Sequence, residues 1–448
     1  MTKTTRSLAL ATVAITVGAL GVLSAAPAYA ATYTVCSGGG CNFTTIQSAI
    51  DDVSVVDGDT LNILAGTYNE SITLDKSLTL AGPNASTSPN TGDPLVAAGR
   101  VAEAIITPPS GDAINAITIT TAVNVTITGL NIDLTGSVYV ANGQKYINAL
   151  SAPGGGSLTV TNNIFSNAPA NLEGELVYKT QTGDSTITVT NNRFTNGGLS
   201  NGLYLNNQSP NAVMTLNISN NVWLDNAYTA GNFSSDNGTV IAGSTANNWI
   251  GNSTPGTSGV DNFTTRQAGF LLTGTYDNFS LTNNTFKDIE RSAIQIFNGF
   301  GGTIAITGNE IDGYSNVAGW GAVMVRPGSP LSDLIAINFS GNSITNPTTG
   351  SLAVFNNGDS GVLDARGNWW GTAAPVFNTL VDLSNVEDPV NFTVLVEDWL
   401  TSWGAASGGP GLAGTGANID PALVIGAATM LLFGGGFLFF ARRRRRQR

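Results

Sequence analysis

Hydrophobic and polar residues alternate along most of this chain in short runs, and each run ends in Asn-Asn or Gly-Asn. The stretch TVTNNRF, Thr188–Phe194, is one copy, and TVTNNIF, NISNNVW and SLTNNTF repeat it closely. ANNWI, AITGNEI, NFSGNSI and DARGNWW are weaker copies. Alternation over about four to six residues, bounded by Gly and Asn, is typical of half-buried strands. The pattern therefore predicts a chain built from repeated strands.

The intervals between the copies predict the architecture. The second asparagine recurs after 29, 29, 27, 36, 25, 33 and 26 residues, which a core of about 25 residues with variable loops explains. A second strand begins with the hydrophobic residue after each Asn pair. A third follows about ten to fourteen residues after the pair, as in GLYL, Gly202–Leu205. Three short strands per coil predict an all-β fold, a parallel β-helix.

The asparagine pairs have a structural explanation. Asn tolerates the left-handed backbone conformation, so it suits a sharp bend between two strands. Bends of successive coils lie about 4.8 Å apart, so their side-chain amides can hydrogen-bond to one another as a ladder. The predicted ladder residues are Asn163, Asn192, Asn221, Asn248, Asn284, Asn309, Asn342 and Asn368. Arg193, which follows one of them, is expected to point to solvent by alternation.

A second structural column is expected four residues after the ladder positions. Its members are Asn or Asp throughout, namely Asn167, Asn196, Asp225, Asn252, Asp288 and Asn346. Because these residue types favour bends, we interpret this column as structural as well.

The segment before the first coils has the pattern of a helix. NFTTIQSAIDDV places apolar residues at helical spacing, and these are Ile46, Ala49, Ile50 and Val53. Thr44 or Thr45 precedes them as the N-cap. We expect a short amphipathic helix that covers the first coil and keeps its exposed edge from pairing with other chains.

Both ends of the chain have the composition of targeting segments. Residues 1–30 combine Lys3 and Arg6 with an apolar run and small residues before the end, which is typical of a secretory signal peptide. Residues 421–441 carry no charge and are long enough to cross a bilayer, so we predict a transmembrane helix there. The Arg-rich tail, 442–448, is then expected in the cytoplasm. A buried core helix is the alternative for the apolar segment.

A Gly/Pro-rich linker, 406–420, joins the predicted β-helix domain with its caps, 31–405, to this apolar segment. The linker contains LAGTG, whose residues are Leu412, Ala413, Gly414, Thr415 and Gly416. Followed by a span and an Arg tail, the motif resembles the LAxTG sorting signals that sortases process. The resemblance implies cleavage between Thr415 and Gly416, attachment to peptidoglycan and a cell-wall location. A permanent single-pass membrane anchor is the alternative.

The chain has two cysteines, Cys36 and Cys41. In an exported protein an even count at close spacing favours a disulfide. Metal binding by the pair is the alternative, but the chain has no His and no further Cys that could complete a coordination shell. We therefore predict a disulfide that closes a small Gly-rich loop, and no metal site.

Segments near both ends of the predicted solenoid resemble a known fold class. Phe43–Asn84, which opens with FTTIQSAIDD, is similar to the start of right-handed parallel β-helix proteins of the pectin-lyase-like class. GNWWGT at Gly367–Thr372 and VNFTVLVEDWLTSW at Val390–Trp403 resemble the closing coil and C-terminal cap of such proteins. The resemblance covers about Tyr33–Trp403 and implies a right-handed parallel β-helix. This architecture carries lyases, hydrolases, epimerases, adhesins and scaffolds.

Charge and composition exclude some functions. Residues 31–405 contain only ten of the 18 Lys and Arg residues but 29 of the 30 acidic residues, so the formal charge there is about −19. Such a domain repels nucleic acid, and no nucleic-acid partner is expected. The chain has no His, so imidazole is excluded as a catalytic acid or base. No cofactor is predicted, and calcium is left open because a polyanionic substrate would need bridging cations.

Enzymes of the resembled class usually act in a groove along the sheet formed by strands such as GLYL. The outward positions of those strands here give a candidate binding groove of Lys179, Tyr204, Gln295, Asn298 and Arg326, with Met324 beside them and Asn206 at the flank. Arg326, Arg291 and Glu290 are candidate catalytic residues, because the two arginines are one coil apart with the glutamate near both. An ordinary surface ion pair is the alternative.

Two functions from different classes remain. The first is a cell-surface adhesin or glycan-binding scaffold, whose partner is an extracellular glycan or a host surface, and the few charges in the groove favour it. The second is an extracellular polysaccharide lyase or glycoside hydrolase acting in the groove. Outward threonine columns, as at Thr159 and Thr188, would also fit an ice-binding surface, but these columns degrade along the chain.

Overall fold

The computed structural model is an all-β parallel β-solenoid with one short helix among the residues that it describes. Those residues are 30–109, 115–135, 150–152, 156–168, 174–180, 183–195, 201–225, 229–236, 238–252, 268–289, 291–314, 321–325, 337–347, 352–356, 361–371, 381–382, 392–395 and 400. Strands of successive coils pair in parallel. The prediction of an all-β parallel β-helix is therefore confirmed.

The strands form three stacks, which are named here by their place in the coil. Stack I precedes the Asn pairs and comprises β1 Thr32–Val35, β2 Thr60–Ile63, β5 Thr79–Ala81, β8 Val125–Thr128, β11 Gly156–Thr161, β14 Ser185–Thr190, β17 Val213–Ser219, β20 Val240–Ala246, β27 Ile337–Ser340, β30 Gly361–Asp364 and β32 Phe392–Leu395. Stack II follows the pairs and comprises β3 Gly66–Asn69, β6 Ala104–Thr107, β9 Asn131–Asp133, β12 Ile164–Ser166, β15 Arg193–Thr195, β18 Val222–Leu224, β21 Trp249–Gly251, β23 Thr285–Ile289, β25 Glu310–Tyr314 and β28 Ser343–Pro347.

Stack III contains the third strand of each coil. It comprises β4 Ile72–Leu74, β7 Ile117–Ile119, β10 Leu150–Ala152, β13 Gly174–Thr180, β16 Asn201–Asn207, β19 Thr229–Ser235, β26 Gly321–Val325, β29 Leu352–Asn356 and β31 Val381–Asp382. Two long strands, β22 Ala268–Thr282 and β24 Ile294–Thr307, run through stack III and continue into stack I. Stacks I and III therefore belong to one hydrogen-bonded sheet, while stack II is a separate sheet of ten strands.

The second residue after each Asn pair forms a core column. In stack II the rings of Phe165, Phe194 and Trp223 lie almost parallel, with centroids 4.8 and 5.0 Å apart, and all three are fully buried. Burying one such side chain contributes roughly 1.5–3 kcal/mol relative to leaving it exposed. The register of the coils is therefore held by packing inside the solenoid as well as by the strand hydrogen bonds.

The two residues of each pair have different tasks. The first is left-handed, with φ between 53° and 58° at Asn162, Asn191, Asn220, Asn247 and Asn283. In the three Gly-Asn copies glycine takes this position, with φ of 67° to 71° at Gly308, Gly341 and Gly367. Gly and Asn adopt this conformation at the lowest cost, so either residue can make the bend. The second residue of the pair is free to serve the ladder.

The eight second asparagines form one continuous column with no exposed surface. The Nδ2 and the backbone N–H of Asn163 both donate to Oδ1 of Asn192, at 3.2 and 2.9 Å. Asn192 makes the same two bonds to Asn221, at 3.1 and 2.9 Å. The arrangement continues without a break to Asn368. Each Nδ2 also donates to a main-chain carbonyl, as from Asn192 to Val160 at 2.9 Å.

The second Asx column is a row of bends at the end of stack II. Asn167, Asp225, Asp288 and Asn346 are left-handed, with φ between 51° and 58°. Asn252 instead donates its Nδ2 to the Asp288 carbonyl at 2.8 Å. The column serves the turn between stacks, and Asn196 lies outside the described residues.

Helix α1, Ile46–Asp51, covers the first coil. The Thr45 side chain caps it by accepting a hydrogen bond from the Ser48 N–H at 3.1 Å. The helix packs on β1, β2 and β4 and buries Ile46, Ala49 and Ile50. Val53 lies beyond the last turn and is 94% exposed, so its predicted place on the apolar face is wrong. The helical spacing of apolar residues in the sequence extends to Val53, whereas the helix ends at Asp51.

Cys36 and Cys41 are joined by a disulfide, with their Cα atoms 5.8 Å apart. The bridge closes the Gly-rich loop that follows β1, and the Phe43 carbonyl accepts a hydrogen bond from the Cys36 N–H at 3.0 Å. The disulfide therefore ties the chain just before α1 to the first strand.

Residues 82–103, between β5 and β6, form a loop that crosses the Asn bends and is called here the covering loop. Asn162 donates its Nδ2 to the Ala85 carbonyl at 2.7 Å, and Arg100 donates to the Asn162 carbonyl at 2.7 Å. Asn90 reaches further and donates its Nδ2 to the carbonyls of Asn192 and Asn220, at 3.0 and 3.1 Å. The loop thus contacts three successive bends.

The covering loop corrects the prediction for Arg193. This side chain is 5% exposed and does not point freely to solvent. Burial lowers the pKa of its guanidinium. The negative charges of Asp225 and of Asp93, which lies in the covering loop, partly offset this effect. Alternation correctly places Arg193 on the outer side of stack II, but a segment about one hundred residues away in sequence lies close to it.

The two end segments lie almost wholly outside the described residues. This applies to the predicted signal peptide, 1–30, apart from its last residue, and to 406–420, 421–441 and 442–448. Within the part of the chain that is described, no helix has the length and apolar character needed to span a membrane.

Candidate functional site

The outer face of stack III carries two columns of side chains set by the strand register. The first column contains Val177, Tyr204, Asn232, Leu271, Gln295 and Met324. The second contains Lys179, Asn206, Ser234 and Thr273. Residues two apart on a strand share a face, so both columns point outward. This face contains most of the predicted groove.

The predicted groove is open in only part of this face. Tyr204, Asn232 and Leu271 are partly exposed. Gln295 and Met324, further along the same column, are 5% and 4% exposed, so the prediction that they line an open groove is wrong. Alternation fixes the face on which a side chain lies but contains no information about what covers that face. The open part is therefore centred on β16 and β19.

The proposed catalytic set is not assembled by the described residues. Arg291 is 6% exposed, and burial of this kind does not fit its predicted role in an open groove. Glu290 and Arg326 lie outside the described residues, as does the side chain of Asn298. The prediction of a catalytic set at Arg326, Arg291 and Glu290 remains untested by the geometry.

Tyr204 and Lys179 form the centre of the open part. The Lys179 ammonium lies 5.0 Å from the centroid of the Tyr204 ring. A cation over the face of an aromatic ring is attracted by the ring's quadrupole, by about 0.5–1 kcal/mol at an exposed site. The contact favours one orientation of the ring, and the Tyr204 side chain as a whole is partly exposed.

Asn206 lies beside this pair in the second column and is 4% exposed. Its Nδ2 donates to Ser234 Oγ at 2.7 Å and to Asp236 Oδ2 at 3.2 Å. Its Oδ1 has no hydrogen-bond partner among the described residues. Sequence reasoning missed Asn232, Ser234 and Asp236, although TAGNFSS has the polar alternation that could have identified the first two.

A second polar cluster lies on the outer side of stack II. Lys287 and Asp312 form an ion pair, and Asp312 also accepts from Thr345 Oγ1 at 3.2 Å and from Asn346 Nδ2 at 2.5 Å. Burial alone would lower the pKa of Lys287, but Asp312 outweighs it and raises that pKa. Burial alone would raise the pKa of Asp312, but Lys287 and Asn346 outweigh it and lower that pKa. Both partners are held charged, so this cluster is a structural ion pair.

Two carboxyl groups beside that ion pair have raised pKa values. Burial raises the pKa of Glu310, and Asp312 adds to the effect. Burial also raises the pKa of Asp288, which Lys287 partly offsets. Within the described ranges, no group of three His, Cys, Asp or Glu residues is placed to hold a metal ion.

The comparison with known proteins gives only distant structural similarity. No protein-family model matches the sequence, and no curated protein matches it. Among solved structures, the GH136 lacto-N-biosidase from Eubacterium ramulus is similar at 12% identity and a TM-score of 0.43, over 83% of this chain and 68% of that one. The A-module of the mannuronan C-5 epimerase AlgE6 from Azotobacter vinelandii has 14% identity and a TM-score of 0.37, over 80% of this chain and 94% of that one. Pectin methylesterase from carrot has 12% identity and a TM-score of 0.23, over 81% of this chain and 88% of that one. These values are too low to transfer an activity to this chain.

Proposed function

We propose that this protein binds glycan chains on the open part of stack III and that its task there is adhesion. The observation that carries the proposal is the partly exposed Tyr204 ring, held in place by Lys179 and bordered by amides and hydroxyls. An aromatic face is electron-rich and attracts the C–H groups on the flat side of a sugar ring. Amides and hydroxyls placed around such a ring can bind the sugar's hydroxyl groups.

The geometry of the solenoid suits an extended ligand. Tyr204 and Asn232 are partners on adjacent coils, as are Asn206 and Ser234. Adjacent strands lie about 4.8 Å apart, so a polysaccharide lying along the solenoid axis would meet a new pair of polar groups at every coil. The groups concerned are amides and hydroxyls, which bind without exchanging protons near neutral pH. Binding without cleavage is the function they support best.

The first test is a substitution of Tyr204 by alanine. We expect the affinity of the full chain, purified in detergent, for its best-binding polysaccharide to fall at least about tenfold, because the stacking surface is lost. Tyr204→Phe keeps the ring and should retain most of the affinity. Affinity is measured by titration calorimetry after a screen of neutral and acidic polysaccharides.

The control for this test is Thr159→Ala, on the outer side of stack I, which should bind like the unmodified protein. Equal affinities of Tyr204→Ala and the unmodified protein would contradict the proposed site. The same incubations, with and without calcium, are examined for new reducing ends or unsaturated sugars. Such products would replace the adhesin proposal with a lyase or hydrolase.

We further propose that the protein is displayed on a Gram-positive-type cell wall through LAGTG. The support is the order of the sequence elements, since the motif is followed by an apolar segment and an Arg-rich tail. Sortase and peptidoglycan would then be its partners, with the membrane as a temporary one through 421–441. An adhesin must be presented outside the cell, so this display and the glycan-binding proposal are consistent with each other.

The display proposal predicts a defined C-terminus. After digestion of the cell wall with a muramidase, mass spectrometry should find a C-terminal peptide that ends at Thr415 and carries a wall fragment. Thr415→Ala should abolish that peptide and leave the protein in the membrane fraction. An intact chain ending at Arg448 in the unmodified protein would instead identify a permanent membrane anchor.

A further inference from the structure

The outer side of stack I carries threonine at the same position of six successive strands. The strand register pairs each of these residues with the next, and they are Thr32, Thr60, Thr79, Thr126, Thr159 and Thr188, called here the threonine column. The sequence copies show only its last two members, because the Asn pairs begin at Asn162. The column degrades after Thr188 but extends over four earlier strands.

The side chains of the threonine column face solvent. On the strands of Thr159 and Thr188, the flanking residues Val160, Ile187 and Val189 have no exposed surface, so alternation places the two threonines on the outer side. Thr32 is exposed, and the other five members of the column are partly exposed. The column is therefore accessible to a ligand along its whole length.

The column is part of a two-dimensional array. Thr161 and Thr190 lie two residues after Thr159 and Thr188 on the same face, and the hydroxyls of Thr161 and Thr190 are 3.3 Å apart. Adjacent strands are about 4.8 Å apart, and every second residue of a strand is about 6.7 Å from the last. Because β-branched side chains have few rotamers, the methyl and hydroxyl groups keep these spacings. Thr161, Thr190 and the threonine column are together called the threonine array.

The array lies on strands without charge. Strands β1, β2, β5, β8, β11 and β14 contain no Asp, Glu, Lys or Arg, whereas the outer side of stack II carries Arg193, Lys287 and Asp312. A charged group binds its own hydration shell strongly. Methyl groups instead restrict the orientation of the water beside them, and hydroxyls both donate and accept hydrogen bonds. The array can therefore hold water molecules in a regular arrangement.

Strand propensity does not explain the threonine column. Threonine is favoured on exposed strand faces in general, so the outer side of stack II in the same part of the solenoid is a matched comparison. There the register aligns Thr67, Ile105, Asn131, Ile164 and Arg193. No residue type in this series is the same on two neighbouring strands. The repeated threonine is therefore a property of stack I.

We propose that the threonine array binds the surface of ice. Water molecules on a face of an ice crystal form a two-dimensional lattice, whose repeats are comparable with the two spacings of the array. Water ordered between the threonine methyl groups and bonded to the hydroxyls can then join that lattice. This function goes beyond glycan binding and uses none of the residues proposed for it on stack III.

The test measures the effect of the full chain, purified in detergent, on ice growth. Compared with the same detergent buffer, the protein should depress the freezing point below the melting point and slow the recrystallisation of ice in frozen sucrose solution. Thr126→Tyr should abolish both effects, because a projecting ring keeps ice away from the neighbouring threonines. Thr79→Tyr should do the same on another strand. Tyrosine is favoured in strands, and circular dichroism verifies that each variant is folded.

The matched control is Thr195→Tyr. It makes the same change at a partly exposed threonine of stack II, and it should keep the full effect on ice growth. Tyr204→Ala should also keep it, so loss of glycan binding and loss of ice binding are separate results.

Several outcomes would overturn the proposal. One is the absence of any effect of the unmodified protein on ice growth. Full activity of Thr126→Tyr and Thr79→Tyr, or an equal loss in Thr195→Tyr, would exclude this face as the ice-binding surface. Without ice activity, a dimer in sedimentation that Thr126→Tyr dissociates would instead identify a contact between two copies. Binding to crystalline cellulose or chitin that the same variant abolishes would identify a crystalline glycan as the ligand.

Discussion

Replacing Asn192 by leucine is expected to lower the free energy of unfolding by about 3–6 kcal/mol. The change removes the Oδ1 that accepts from the backbone N–H and the Nδ2 of Asn163, at 2.9 and 3.2 Å. It also removes the Nδ2 that donates to the Val160 carbonyl at 2.9 Å. All these groups are buried, and each loses one hydrogen bond at a cost of roughly 1–3 kcal/mol. The Asn163 Nδ2 keeps its other bond, to the Ile127 carbonyl at 2.9 Å. Equilibrium unfolding in guanidinium chloride measures the loss.

The matched control lies in the next coil. Asn217→Leu changes the same residue type in the same way, but Asn217 is exposed on the outer side of stack I. Its substitution should change the free energy of unfolding by less than about 0.5 kcal/mol. Similar losses at the two positions would mean that the ladder amides contribute no more to stability than surface amides do.

The second large effect concerns a carboxyl group inside the solenoid. Glu175 has no exposed surface, and neither of its oxygens has a hydrogen-bond partner among the described residues. Burial raises the pKa of this carboxyl well above its ordinary value of 4.5. In the unfolded chain the group ionises near that value, whereas in the folded protein it resists ionisation. The contribution of Glu175 to stability is therefore most favourable at low pH and is lost as pH rises towards the folded pKa.

Glu175→Gln should remove this pH dependence, because an amide does not titrate. Between about pH 5 and the folded pKa, the stability of the unmodified protein should fall relative to that of the variant by about 1.4 kcal/mol per pH unit. The variant is expected to be the more stable protein at pH 8. Guanidinium unfolding at several pH values measures the difference, and Asp277→Asn, an exposed carboxylate, is the control. Parallel pH profiles for Glu175→Gln and the unmodified protein would contradict the prediction.

The sequence repeats made the fold predictable from the sequence. A bend that recurs with the same two residues, followed by a hydrophobic residue such as Phe165 or Phe194, needs only local rules to interpret. Those rules gave the strands, the bends and the column that contains Asn192. They placed Arg193 on the correct side of its strand but could not anticipate the covering loop, because the electrostatic interaction with Asp93 joins distant parts of the chain.

The candidate site was predicted less completely because alternation gives the face of a residue and not what covers that face, as at Gln295. Strict alternation also fails where stack III begins. Gly202 and Leu203 are consecutive, yet both face the interior. A Cβ at Gly202 would lie 2.3 Å from Nε1 of the buried Trp223, and Leu203 is fully buried. The strand register places Glu175 beside Gly202 on the neighbouring coil. A period of two applied from the strand start therefore assigns Glu175 to the wrong side, and only the packing reveals a buried acid.

Separating the bend from the ladder has a consequence for how such a chain can change over evolutionary time. A rung needs only two consecutive residues, one that turns and one that bonds, and adjacent rungs are 25 residues apart at the shortest and 36 at the longest. An insertion between rungs therefore leaves both neighbours in register, whereas one inside the pair would break the column. Loops over the outer faces can lengthen or shorten independently, and new binding surfaces can arise without rebuilding the scaffold beneath them.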